Sequence, residues 1–129
     1  MSGCLLDTGI ALRAVSEPET LSRAVRSAIL KGPAYLSVVS FWEVAIKFMK
    51  GTLVVRDPHL WYDATLDALA LRPLPCRPEH IAQLLSLPSV HRDPFDRALI
   101  AQAMAEGLAL LTTDSIIPRY ATSAFRVIA

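Results

Sequence analysis

Short apolar runs at residues 3–6, 34–38, 71–74, 109–112 and 125–128 alternate with longer stretches whose apolar residues recur at helical spacing. Strands separated by helices cannot pair as hairpins. They return parallel, so the pattern predicts an α/β fold on a central parallel sheet. The strand runs are apolar almost throughout, as in a sheet covered on both faces.

The helical stretches carry recognisable ends. Ser16 to Glu19 has capping-box spacing ahead of a helix over about 20–30, with Gly32 just beyond. Ser40 is placed to cap a helix that runs to Lys50 and stops at Gly51. Pro58 opens a helix to about Leu69, and Pro78 opens one to about Leu85. Asp93 is a natural cap for a helix that starts at Pro94 and ends at Gly107.

A chain of 129 residues is expected to form one domain, 1–129, and to bury about two thirds of the surface its unfolded form exposes. Its formal charge of +1 provides no global field for nucleic acid, so any such partner must be held by a local patch. Cys4 and Cys76 lack CxxC spacing and are expected to be reduced, which suits a cytoplasmic location. The apolar start stops at Asp7 without the basic and hydrophobic regions of a signal peptide, and no run has the length of a membrane span. Hydrophobic residues make up 53% of the chain and mean hydropathy is +0.39, which points to a partner surface, in the simplest case a homodimer.

The most unusual residue is Asp96. At 100° per residue Leu99, Ile100, Ala103 and Met104 share one helical face, and Asp96 lies near its centre. A carboxylate turned toward a core is costly unless it is hydrogen-bonded, protonated or beside a cation. Three more acids share its location. In an open parallel sheet the carboxyl ends of the strands and the starts of the following helices form one edge, where ligands bind. Asp7 directly follows the first predicted strand, Asp114 comes after the fourth, and Glu43 and Asp96 lie in first turns of helices beside that edge. Clustered carboxylates repel unless a positive charge lies between them, and Mg²⁺ or Mn²⁺ prefers such oxygens.

Each acid also has a simpler reading. Asp93-Pro94-Phe95-Asp96 has the form of a capping box, Glu43 can pair with Lys47 one helical turn on, and Asp7 and Asp114 are common turn residues. His59, His80 and His91 share no metal-ligand spacing, so His91 reads as a polar loop residue and zinc is not expected. No GxGxxG, Walker loop, GxSxG or HExxH occurs.

At these positions the sequence resembles the PIN-domain family, most closely the VapC-like toxins of type II toxin–antitoxin pairs. Leu5-Leu6-Asp7-Thr8 resembles the opening strand and first acid, and Ser37-Val38-Val39-Ser40-Phe41-Trp42-Glu43-Val44-Ala45-Ile46-Lys47 resembles the second block of one toxin subgroup. His91-Arg92-Asp93-Pro94-Phe95-Asp96-Arg97-Ala98-Leu99-Ile100-Ala101-Gln102-Ala103 is similar to its third block and Leu111-Thr112-Thr113-Asp114 to its fourth. One departure is Gly9, where the subgroup often carries a histidine.

The resemblance implies a three-layer α/β/α sandwich and metal-dependent cleavage of RNA. It implies Asp7, Glu43, Asp96 and Asp114 as the catalytic, metal-binding acids, Thr8 and Thr112 as hydroxyls near water or phosphate, and Asp93 as a residue behind the ligands. A cognate antitoxin, a small DNA-binding protein laying an amphipathic segment in an apolar groove, is the implied partner. An acidic site repels RNA, so nearby cations must hold the phosphates; Lys47, Lys50, Arg92, Arg97 and Arg119 are nearest in sequence. The alternative is a non-catalytic, Mg²⁺-binding regulatory module of flavodoxin-like architecture, with Lys47 near the metal edge.

Overall fold

In the computed structural model, which describes residues 3–129, a parallel sheet is formed by β1 (Cys4–Leu6), β2 (Ala34–Ser37), β3 (Arg72–Leu74), β4 (Ala109–Leu111) and β5 (Val127–Ile128). The order is β3-β2-β1-β4-β5. It differs from the 2-1-3-4-5 order of flavodoxin-like folds, so the regulatory-module alternative loses its architectural basis. The chain builds outward from β1 to β3, then crosses back to lay β4 against the other side of β1. The switch point between β1 and β4 is where a crevice opens beyond the strand ends.

Alternation along the strands divides the core. Leu5 and its register partner Leu110 point to one face, while Cys4, Leu6, Leu36 and Leu111 point to the other. The first face packs under α5 (Pro78–Leu85) and α6 (Pro94–Glu106), which supply Leu84, Leu99, Ile100 and Ala103. The second packs under α1 (Thr8–Ser16), α2 (Arg23–Lys31) and α4 (Pro58–Ala68), which supply Ile10, Ala11, Val25 and Tyr62. α3 (Val38–Met49) serves both, with Phe41 on one side and Val39 on the other. The three-layer α/β/α arrangement expected from the sequence is present.

Three local expectations need correction. A helix, α1, begins directly after Asp7, in a segment for which only a turn was read. Its cap is Asp7 itself: the Ile10 N–H donates to Asp7 Oδ1 at 2.7 Å. Ser16 caps nothing; the next helix starts at Arg23, where Ser22 Oγ accepts from the Val25 N–H, and residues 18–20 form a 3₁₀ turn. Likewise α3 is capped by Ser37, one turn earlier than Ser40, because Ser37 Oγ accepts from the Val39 N–H. Both serines were misassigned for one reason: several hydroxyls precede each helix, and capping depends on which backbone turns extended before it. The ends at α5 and α6 match expectation, with Gly107 left-handed at φ 69° closing α6.

Phe41 stacks on Tyr62 and His59, and the Tyr62 hydroxyl donates to the Leu36 carbonyl. Tyr62 is buried and Phe41 and Trp61 pack partly buried against the same cluster, while His59 is exposed. Trp42 is 60% exposed and Met49 72%, so the apolar surplus on the surface lies partly along α3. Cys4 is buried and Cys76 exposed, both as free thiols. Among the described residues no helix is long and apolar enough to cross a membrane.

Candidate metal centre

The switch point is built by backbone first. The Asp7 N–H donates to the Leu111 carbonyl at 3.0 Å, fastening the exit of β1 to the exit of β4. Asp7 is therefore 7% exposed, and its carboxyl lies beside Thr112, which is fully buried. Burial raises the Asp7 pKa above the usual carboxylate value; the Thr112 hydroxyl and the Ile10 N–H oppose the rise, and Glu43 and Asp114 add to it.

Glu43 reaches the same edge from α3 and is 4% exposed. The Thr8 hydroxyl donates to its Oε1 at 2.6 Å, and Lys47 Nζ lies 2.8 Å from its Oε2. The solvated helix pair considered from the sequence does form, yet its acid member is buried and only Lys47 is half in solvent. The bond to Glu43 raises the Lys47 pKa against the opposing effect of burial, and Asp93 and Asp96 reinforce it. Thr8 lies 3.0 Å from Ser40 Oγ, so Ser40 helps to position Thr8 and caps nothing.

Asp114 follows β4 in a tight turn. Thr112 Oγ1 accepts from the Asp114 N–H at 3.0 Å, and Asp114 Oδ1 accepts from the N–H groups of Ile116 and Ile117 at 2.7 and 3.1 Å. Partial burial pushes its pKa up, but those two N–H groups and His91 outweigh burial and hold it below the ordinary carboxylate value. The turn reading is correct for Oδ1 and leaves Oδ2 facing the other acids.

Asp96 resolves the capping question. Asp93 Oδ1 accepts from the N–H groups of Phe95 and Asp96 at 2.8 and 3.2 Å, the forward half of a box. The backward half does not involve Asp96, because the Asp93 N–H donates to His91 Nδ1 at 3.1 Å. The Asp96 side chain is thus free to face the cluster, where burial first, then Asp93, Glu43 and Asp7, push its pKa up to about 7 against the lowering effect of His91. Replacing Asp93 with Ala removes two bonds of the cap and leaves its N–H in place. It is expected to cost about 1 kcal/mol in urea unfolding of the metal-free protein; an unchanged midpoint would show that the cap carries no stability.

Asp7, Glu43, Asp96 and Asp114 thus come to one edge: Glu43 and Asp114 help to raise the Asp7 pKa, and Glu43 and Asp7 help to raise that of Asp96. The sequence missed His91. It was read as a polar loop residue, but it is 9% exposed, with Nε2 3.1 Å from Asp114 Oδ2 and 3.2 Å from Asp96 Oδ2. Ligand atoms of His91, Asp96 and Asp114 all lie within 4.8 Å of one another. The hint was available in the sequence only as the position of His91 two residues before a helix cap.

The basic candidates divide. Lys47 is committed to Glu43, and Arg97 donates through Nη1 to the Pro88 carbonyl at 2.9 Å. Lys50, Arg92 and Arg119 are exposed. Arg13, not singled out in the sequence, donates to Thr113 Oγ1 at 3.3 Å beside Asp114. Gly9 is exposed, and a Cβ there would meet Asp7 Oδ1 only at 3.7 Å, so steric room does not demand glycine. Surface depressions on α2 and at the amino-terminal edge of the sheet lie away from the acids.

An acid quartet beyond the switch point of a five-stranded parallel sheet defines a class, and sequence comparison agrees with it. The PIN domain family matches residues 4–122, and the chain belongs to that family. Solved structures similar to it include VapBC2 from Rickettsia felis bound to a promoter DNA fragment, with TM-score 0.71, 14% identity, and coverage of 99% of this chain and 98% of that one. DNA-bound VapBC from Salmonella typhimurium gives 0.68, 14%, 99% and 98%. VapBC-5 from Mycobacterium tuberculosis, described as a member of a family of toxin–antitoxin systems, gives 0.62, 18%, 98% and 97%. No curated protein matches the sequence.

Proposed function

We propose that this PIN domain is a Mg²⁺- or Mn²⁺-dependent endoribonuclease, the toxin of a toxin–antitoxin pair. The observation that carries the proposal is the convergence of Asp7, Glu43, Asp96 and Asp114 with an Asp96 carboxyl whose pKa is pushed up to about 7. An isolated fold gains nothing from placing like charges together. A hard divalent cation relieves the repulsion, and these oxygen donors suit one. The likeness to VapBC-5, a member of a family of toxin–antitoxin systems, supports the toxin reading.

The chain's own residues then have definite tasks. Asp7, Glu43, Asp96 and Asp114 hold the cation. Thr8 orients Glu43 through its 2.6 Å bond, and Thr112 braces Asp7 and the Asp114 turn. When bound, the ion supplies an activated water and offsets charge on the phosphodiester. No side-chain nucleophile is required. Lys50, Arg92 and Arg119 are exposed near this edge in sequence and are assigned to phosphate contacts.

Cleavage of single-stranded or structured RNA by the purified protein, on addition of Mg²⁺, tests the reading. Trp42 and Met49, exposed on α3, support a homodimer or a complex with the cognate antitoxin. Sedimentation is expected to give at least a dimer or a stable complex; a monomer at high concentration that binds nothing from its own operon contradicts the partner assignment. The expected location is the cytoplasm, in keeping with two free thiols.

A further inference from the structure

We propose that His91 serves the acid site as a fixed N–H donor that orients Asp114 next to Asp96, and not as a metal ligand. The inference rests on reading the four acids as a metal site, but its evidence is the wiring of the imidazole. A histidine that ligates through Nε2 needs its lone pair there and its proton on Nδ1, where it usually donates to a carboxylate or a carbonyl. Here the reverse holds. The Asp93 N–H donates to His91 Nδ1 at 3.1 Å, so Nδ1 carries the lone pair and the proton sits on Nε2. A proton on Nδ1 would face the Asp93 N–H donor to donor. The Nε2–H then donates to Asp114 Oδ2 at 3.1 Å and lies 3.2 Å from Asp96 Oδ2.

The ring is also held in place from behind. The Tyr120 hydroxyl accepts from the N–H groups of Val90 and His91 at 3.1 and 2.7 Å and donates to the Pro88 carbonyl at 2.9 Å. Arg97 Nη1 bonds that same carbonyl, so the loop carrying His91 is tied to α6 and to the turn after Asp114. Asp93 therefore acts through its backbone, and its cap and the His91 tautomer are one unit. The donor satisfies Asp114 Oδ2, while Asp96 Oδ2 is its close neighbour and not its hydrogen-bond acceptor. Asp96 Oδ1 has no donor among the described residues, and because every buried side-chain oxygen is partnered, it reaches solvent. That oxygen is left to a cation. His91 is thus a positioning residue.

Three measurements test the assignment. Long-range ¹H–¹⁵N spectra of the metal-free protein are expected to show His91 protonated at Nε2 and bare at Nδ1; a proton on Nδ1 overturns the proposal without involving any metal. In Mn²⁺-loaded wild-type protein, electron spin-echo modulation is expected to show no directly bound imidazole nitrogen. By calorimetry, His91→Leu is expected to weaken Mn²⁺ binding about 10- to 100-fold, the usual cost of losing a partner behind a ligand. His91→Gln, whose amide N–H replaces the donor, is expected to remain within about threefold of wild type on the same reasoning. A directly bound nitrogen, a Leu variant that binds as tightly as wild type, or a Gln variant as weak as Leu would each overturn the donor role. Absence of Mn²⁺ binding by wild type would instead remove the metal-site reading, which the spectra distinguish.

Discussion

Asp96→Asn is expected to stabilise the metal-free protein at pH 8 while abolishing its Mg²⁺-dependent cleavage. The sign follows from linkage. The Asp96 pKa is about 7 in the fold against an ordinary 3.8, so between those values the native state binds more protons than the unfolded state. The Asp96 contribution to stability is then most favourable below about pH 4, falls as pH rises, and is least favourable above about pH 7, where the buried carboxyl must ionise among Asp93, Glu43 and Asp7. The full shift corresponds to at most about 4 kcal/mol. Asparagine keeps an oxygen toward His91 and gives up no cap, since the Asp93 N–H already bonds His91. Unfolding in EDTA from pH 5 to pH 8 is expected to show a falling wild-type curve and a flatter variant curve. A variant that is clearly less stable at pH 8 would mean that the Asp96 carboxylate stabilises the fold.

Asp7→Asn is expected to reduce cleavage by at least about a hundredfold, because loss of a ligand should exceed the 10- to 100-fold cost of losing a partner behind one. The fold should survive. Asparagine retains a side-chain oxygen for the Ile10 N–H, so α1 keeps its cap, and the volume is unchanged. Matched melting in EDTA and initial rates in Mg²⁺ separate these effects. Near-wild-type turnover would assign Asp7 to capping alone.

Much of this arrangement was legible from the residues. Pro78, Pro94 and Gly107 fix helix ends through backbone geometry alone, and α5 and α6 start where those prolines predict. Asp96 declared itself because it breaks an apolar face. The misreadings arose where tertiary contacts decide. Asp7 looked like a turn residue because aspartate is common after strands, yet burial of Ile10 and Ala11 against the sheet sustains a helix directly after it. Ser37 and Ser40 are equally good caps locally; the end of β2 at Ser37 selects the first. His91 was invisible for another reason. Its partner Asp114 is 23 residues away, and only the crossing of β4 beside β1 brings the two together. The family resemblance named the four acids; its third block begins at His91 but assigned that histidine no role.

The most direct test of the central claim is RNA cleavage by purified wild-type protein before and after chelation. The acid quartet predicts cutting in Mg²⁺ or Mn²⁺, arrest in EDTA, and recovery when excess Mg²⁺ is restored. Activity that persists in EDTA through repurification would contradict the metal mechanism and leave the four carboxylates without their proposed role.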